Sequence, residues 1–99
     1  MRRTKNTQSV HDDKVREVAN RYKRERWKVN ADLPGFKEPR TVYGNRPDII
    51  ARKGQKTRLI EIETRKSMKS DKAQRAAFQR YANLSPKISF KTLIAKRRR

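Results

Sequence analysis

Asp48, Glu61 and Glu63 form the most reactive pattern in this sequence, three carboxylates on two neighbouring β-rich runs. They lie in Arg46-Pro47-Asp48-Ile49-Ile50 and in Leu59-Ile60-Glu61-Ile62-Glu63, and they are three of ten acidic residues set against 29 lysines and arginines. Hard oxygen ligands of this kind suit magnesium or manganese. A divalent ion beside a basic surface is what hydrolysis of a phosphodiester requires: the ion polarises the phosphate and activates water while lysines and arginines hold the backbone. There is no cysteine and only one histidine, which excludes a disulfide framework and a zinc site of thiolates or imidazoles.

The spacing matters more than the composition. Two β-rich runs flank Gly54. If Gly54-Gln55 is a two-residue hairpin loop with glycine at the first central position, Lys53 faces Lys56, Ile50 faces Leu59, Ile49 faces Ile60 and Asp48 faces Glu61. Opposed residues have Cβ atoms roughly 5 Å apart, so two carboxylates there repel by roughly 3 kcal/mol at an effective dielectric of about 20. Something cationic should resolve that. Glu63 emerges on the same face about 6.8 Å further along its strand. The competing reading is that the three carboxylates pair with Arg46, Arg58, Arg65 or Lys66 as ordinary ion pairs.

The elements that must position these groups follow from periodicity and caps. Residues 1–8 are basic, polar and aperiodic, and read as an arm. Ser9 can cap a first helix running to about Glu25, with Asp12 and Asp13 in its first turn and His11, Val15, Val18, Ala19 and Tyr22 on one face. His11 there reads as a cap or a packed residue rather than a base. Trp27, Val29 and Ala31 alternate as in a strand, and a loop with Pro34-Gly35 and Pro39 follows. Beyond the hairpin and a polar stretch, Asp71 can start a second helix with Ala73, Ala76, Ala77, Phe78 and Tyr81 inward and Lys72, Arg75 and Arg80 outward; Asn83 and Pro86 end it. Phe90, Leu93, Ile94 and Ala95 make a last strand. The expected architecture is α/β, a mixed sheet flanked by helices in the order α, β, β, β, α, β, with one domain over residues 9–96 and a basic tail at 97–99.

Pro47-Asp48 and Glu61-Ile62-Glu63, placed on a hairpin with a Gly-containing turn between two helices, resemble the PD-(D/E)xK nuclease superfamily, and within it the archaeal Holliday junction resolvases. The resemblance spans roughly residues 9–96. It implies a restriction-endonuclease-like core and a magnesium- or manganese-dependent endonuclease acting on DNA, including branched DNA, as a homodimer. Asp48, Glu61 and the carbonyl of Ile62 would hold the first metal, Glu63 would bind a second ion or take the water's proton, and Asp12, the acid near the start of the first helix, would complete the site. Glu63 stands where the superfamily usually has lysine. Some members carry glutamate there and remain active, and lysine can also come from elsewhere, here Lys66, Lys69 or Lys72. Gln74 looks like the glutamine that follows the active-site strand in RecB-like members; as an ordinary residue it would be an exposed helix position.

The net charge of +19 independently implies a polyanionic partner. Arg2, Arg3, Arg46, Arg65, Lys66, Lys69, Lys72, Lys96, Arg97 and Arg98 are the expected phosphate contacts. No apolar run approaches membrane-spanning length and no signal peptide is recognisable at the start, so the expected setting is cytoplasmic beside nucleic acid, or intracellular and virus-encoded. Two rivals remain open: a DNA-binding module with a disabled site, and a basic structural protein of a ribonucleoprotein particle.

Overall fold

The computed structural model describes residues 5–96; the expected phosphate contacts Arg2, Arg3, Arg97 and Arg98 lie outside the described residues. Helix α1 spans Lys5–Arg24. It begins a turn earlier than expected, so Ser9 lies inside it rather than capping it, and the second half of the expected arm is helical. Gln8 Nε2 donates to Asp12 Oδ1 at 2.8 Å, an i,i+4 pair that supports the helix through Ser9. His11, Val15, Val18, Ala19 and Tyr22 form its buried face, as the periodicity requires.

The end of α1 is a Schellman turn. The Trp27 N–H bonds to the Tyr22 carbonyl at 3.0 Å and the Arg26 N–H to that of Lys23 at 3.0 Å, with Arg26 at φ 68 in the position glycine usually takes. Tyr22 and Trp27 meet edge to face at 5.3 Å, the apolar contact that accompanies this turn. Trp27 therefore belongs to the helix end, just before the strand that the alternation predicts for it.

Four strands follow: β1 Lys28–Ala31, β2 Ile49–Lys53, β3 Lys56–Glu63 and β4 Ile88–Ile94. They lie in the order β1-β2-β3-β4, antiparallel between β1 and β2 and between β2 and β3, parallel between β3 and β4. The β2–β3 register pairs Lys53 with Lys56, Ile50 with Leu59 and Ile49 with Ile60, as the two-residue turn demands. Gly54 takes φ +59 in that turn, a conformation glycine adopts without steric cost.

Two helices, not one, cross from β3 to β4: α2 Arg65–Ser70 and α3 Lys72–Ala82. The polar stretch after Glu63 becomes α2 because Thr64 and Ser67 cap each other. Thr64 Oγ1 accepts from the Ser67 N–H at 3.2 Å and Ser67 Oγ accepts from the Thr64 N–H at 2.8 Å. The sequence signature of such a box is Glu or Gln at the third position, and serine does the same work here.

The rotation of α3 differs from expectation. Ala77, Phe78 and Ala82 are buried, while Ala73 and Ala76 are exposed and Arg75 turns inward. Phe78 packs with Val42, Ile50 and Leu59, and Phe90 lies against that cluster; burying a phenyl ring outweighs burying two alanine methyls.

The result is an α+β domain with a mixed four-stranded sheet. α1 packs with Ala31, Ile49, Ala51, Ile60 and Ile62, whereas Phe78 of α3 packs with Ile50 and Leu59, so the helices cover opposite faces. The two-residue period of a strand then places Glu61 and Glu63 on the α3 side, while Asp48, one residue before β2, lies at the sheet edge within reach of α1. Among the described residues no helix is long and apolar enough to cross a membrane.

Candidate active site

Pro47 has no N–H to give a ladder, and β2 opens two residues later at Ile49. Asp48 thus sits one step beyond the last ladder pair, opposite Glu61. Its own N–H donates to Glu61 Oε1 at 3.2 Å, and its Oδ2 accepts from the Ile62 N–H at 2.8 Å. The juxtaposition read from the turn is present.

Two residues from the flanking helices hold the pair. His11, 4% exposed, brings Nε2 to 3.2 Å from Asp48 Oδ2 and Nδ1 to 3.0 Å from Asp12 Oδ1. A neutral ring can donate to one of these carboxylates and an imidazolium to both. His11 is therefore more than a packed residue, and Asp12 joins the site through it. On the other side, Gln74 Nε2 donates to Glu61 Oε2, which gives Gln74 a position against the acid rather than on an exposed helix face. The helical spacing of His11 with Val15 is the sequence signal that aims it inward; nothing local reveals that it ends on Asp48, 37 residues away.

Environment splits the two carboxyls. Burial opposes ionisation of Asp48, but the contacts with His11, Glu61 and the Ile62 N–H outweigh it and hold the carboxyl below its usual value. For Glu61, burial first and the Asp48 carboxylate second push the pKa up to about 10, with Gln74 opposing weakly. At neutral pH the pair keeps one proton, on Glu61, because two close carboxylates cannot both ionise cheaply.

Glu63 is fully buried, and neither of its oxygens has a hydrogen-bond partner. Burial raises its pKa and nearby Asp71 adds to the rise, while Ser67 and the Arg75 guanidinium pull it back. Arg75 Nη1 stands 3.9 Å from Glu63 Oε2, and its Nη2 donates to the Met68 carbonyl at 2.7 Å. The cation beside the third acid is thus Arg75, a residue expected to face solvent. Lys66 and Lys69 on α2 and Lys72 at the start of α3 are exposed and form no ion pair with a carboxylate among the described residues.

Two of the three acids do stand beside a base, Asp48 beside His11 and Glu63 beside Arg75, but not beside the four residues expected to pair with them. Arg46 pairs with Glu38 and donates to the Pro39 carbonyl, Arg58 donates to Ser89 Oγ and Tyr22 Oη, and Arg65 and Lys66 are exposed. Lys96 is exposed as well. Among the described residues no three His, Cys, Asp or Glu side chains are gathered as a metal-ligand group; the set at hand is two side-chain carboxylates and the backbone of Ile62.

No family model matches the chain, and neither a curated protein nor a solved structure matches it significantly.

Proposed function

We propose that this chain is a metal-dependent endonuclease that hydrolyses DNA phosphodiesters, with a restriction-endonuclease-like core of the PD-(D/E)xK type and a preference for branched DNA. The observation that carries the reading is the Asp48–Glu61 contact, two acids opposed inside a chain of net charge +19, where burial and the Asp48 charge push the Glu61 pKa up to about 10, so that Glu61 keeps its proton at neutral pH. That proton marks a negative charge which a cation can take over, and Asp48, Glu61 and the Ile62 carbonyl offer hard oxygens, which suits magnesium or manganese, with the His11 nitrogen engaged on Asp48.

Asp48, Glu61 and the Ile62 carbonyl would hold the ion, and Glu63 would hold a second or serve as base. A divalent ion bound there compensates charge on the phosphate as it is attacked. The remaining work belongs to the chain. His11 and the Ile62 N–H orient Asp48, Gln74 orients Glu61, and Asp12 fixes the His11 ring. The oxygens of Glu63 have lone pairs to spare, and burial raises the affinity of that carboxylate for a proton. Exposed Arg65, Lys66, Lys69 and Lys72 follow Glu63 directly in sequence and would grip phosphates through Coulomb attraction, so binding weakens steeply with salt. A homodimer would supply the two sites that cutting two strands requires, with edge strand β4 and its exposed Ile94 as the docking edge.

One observation favours a second reading, a DNA-binding module without cleavage: Glu63 is sealed beside Arg75 where the superfamily has a lysine reaching the reaction. Cleavage of labelled linear, flapped and four-way-junction DNA with magnesium or manganese separates the two. Metal-dependent nicking that disappears in Asp48→Ala and Glu63→Ala establishes the nuclease; tight binding without nicking in any metal establishes the binding module.

A further inference from the structure

Tyr43 is the largest aromatic side chain that the fold leaves open. It is 53% exposed and sits in the tight turn closed by the Val42–Asn45 bridge, with Tyr43 at φ 51 and Gly44 at φ 79. Two positive φ values make this the kind of turn that normally carries Asn-Gly, and a tyrosine there is backbone strain accepted at no gain in burial. The ring is not loose. The Arg80 guanidinium lies 5.1 Å from its centroid, and Tyr81 meets it at 6.1 Å and 81°. Tyr81 is in turn held by Arg40, which donates to its hydroxyl and lies over its ring at 5.4 Å. Val42 packs with Phe78, Ile50 and Leu59, anchoring the turn against the same side of the sheet that carries the carboxylates.

We propose that Tyr43, with Arg80 and Tyr81, is a stacking platform for an unpaired nucleobase, and that it selects single-stranded or branched DNA. A rigid, half-exposed aromatic ring flanked by guanidinium groups is the arrangement that binds bases by their π faces while the cations hold the adjoining phosphates. Its place fits the carboxylates. Gln74 touches Glu61, and Tyr81 lies two turns further along α3, about 10 Å at helical rise, which is roughly three stacked base steps. A base held on Tyr43 would thus lie a few nucleotides from a phosphate at Asp48. Paired bases present only their edges to a protein surface, so duplex DNA does not satisfy the platform.

The inference rests on the nucleic-acid half of the reading above but not on cleavage, and it is tested in EDTA. The probe is flap DNA carrying 2-aminopurine in the single strand, compared with a duplex of equal length carrying it in a base pair. The protein is expected to change the probe's emission in the flap and not in the duplex, and to bind the flap at least tenfold more tightly. Tyr43→Asn removes the ring while suiting positive φ, so the turn survives; it should weaken flap binding about 10- to 100-fold and abolish the emission change, whereas Tyr43→Phe keeps both. Equal flap binding by the parent and Tyr43→Asn, or equal parent binding to flap and duplex, overturns the platform. A Tyr43-dependent flap preference in a protein that cuts nothing leaves the platform standing and removes the nuclease; metal-dependent cutting with no dependence on Tyr43 does the reverse.

Discussion

Asp48 and Glu61 oppose each other one step past the β2–β3 ladder, and their surroundings drive them to opposite protonation states. Asp48 collects donors: His11 Nε2 at 3.2 Å and the Ile62 N–H at 2.8 Å. Glu61, 2% exposed, has burial and its neighbour's charge against it and takes up the proton. Two acids whose environments push their pKa values apart in this way are equipped for different roles.

Stability should fall as pH rises. Glu61 has a folded pKa of about 10 against 4.5 ordinarily, so between those values the unfolded chain has released a proton that the folded chain retains. The linkage costs up to about 1.4 kcal/mol per pH unit from this group. Chemical denaturation in EDTA from pH 5 to 9 should show the slope, and Glu61→Gln should flatten it, since the Gln74 amide can flip to accept from the new amide. Asp48, held low, acts in the opposite sense and loses its stabilisation only on strong acidification.

A divalent cation should compete with that proton. Magnesium or manganese is expected to raise the melting temperature more at pH 8.5 than at pH 6.5, because the cation must displace the Glu61 proton to bind. At a concentration of about a hundred times Kd the gain is about 2.7 kcal/mol. Calorimetry in two buffers of different ionisation enthalpy counts the released proton. A shift that is equal in Asp48→Ala would remove the site from consideration.

Gln74→Ala should leave the fold intact and impair the site. Its amide is the side-chain donor to Glu61 Oε2, and loss of a group that orients a ligand typically lowers metal affinity or activity by about 10- to 100-fold. Metal titration and initial cleavage rates measure it, at a temperature where melting in EDTA shows the variant still folded.

Arg75→Met should destabilise more in alkali than in acid. Burial raises the pKa of Glu63, and Arg75 offsets part of that rise. Without the guanidinium, a Glu63 kept neutral by acid is tolerated, whereas ionising it in alkali leaves an unsatisfied buried group at a cost of about 1–3 kcal/mol. Glu63→Gln in the same chain should recover most of the loss, and a double-mutant cycle by urea denaturation gives the coupling.

Arg26→Gly should stabilise the domain by about 1 kcal/mol. Arg26 ends α1 at φ 68, a conformation costing a side-chain-bearing residue roughly that much. Thermal melting tests this away from the site, and a lowered melting temperature would mean that the arginine side chain contributes more than the strain it causes.

The apolar stripe of α1, the existence of the hairpin and the convergence of Asp48 on Glu61 could all be read from the sequence. They depend on short-range rules: a helical period, a glycine able to take positive φ, and a two-residue turn that leaves only one way to count the pairs. Gln74 was nameable too, by resemblance, although its contact was not. The missed elements had weaker signals: Thr64 and Ser67 form a cap with an unusual partner, and Val42 to Asn45 form a tight turn with tyrosine where asparagine is usual.

Which distant groups meet depends on packing. In Lys72–Ala82, alanines occur on more than one side, so local pattern leaves the rotation of α3 open; packing of Phe78 against Leu59 and Ile50 settles it, and thereby turns Gln74 and Arg75 toward the acids. His11 reaches Asp48 only because α1 lies across the opposite face of the same sheet, and β4 pairs with β3 only after two helices have crossed over. The acid pair is legible in the residues alone because a hairpin's register is a local count; its proton, its orienting partners and its buried third carboxylate depend on solvent exclusion and on contacts between elements far apart in the chain, which no local count contains.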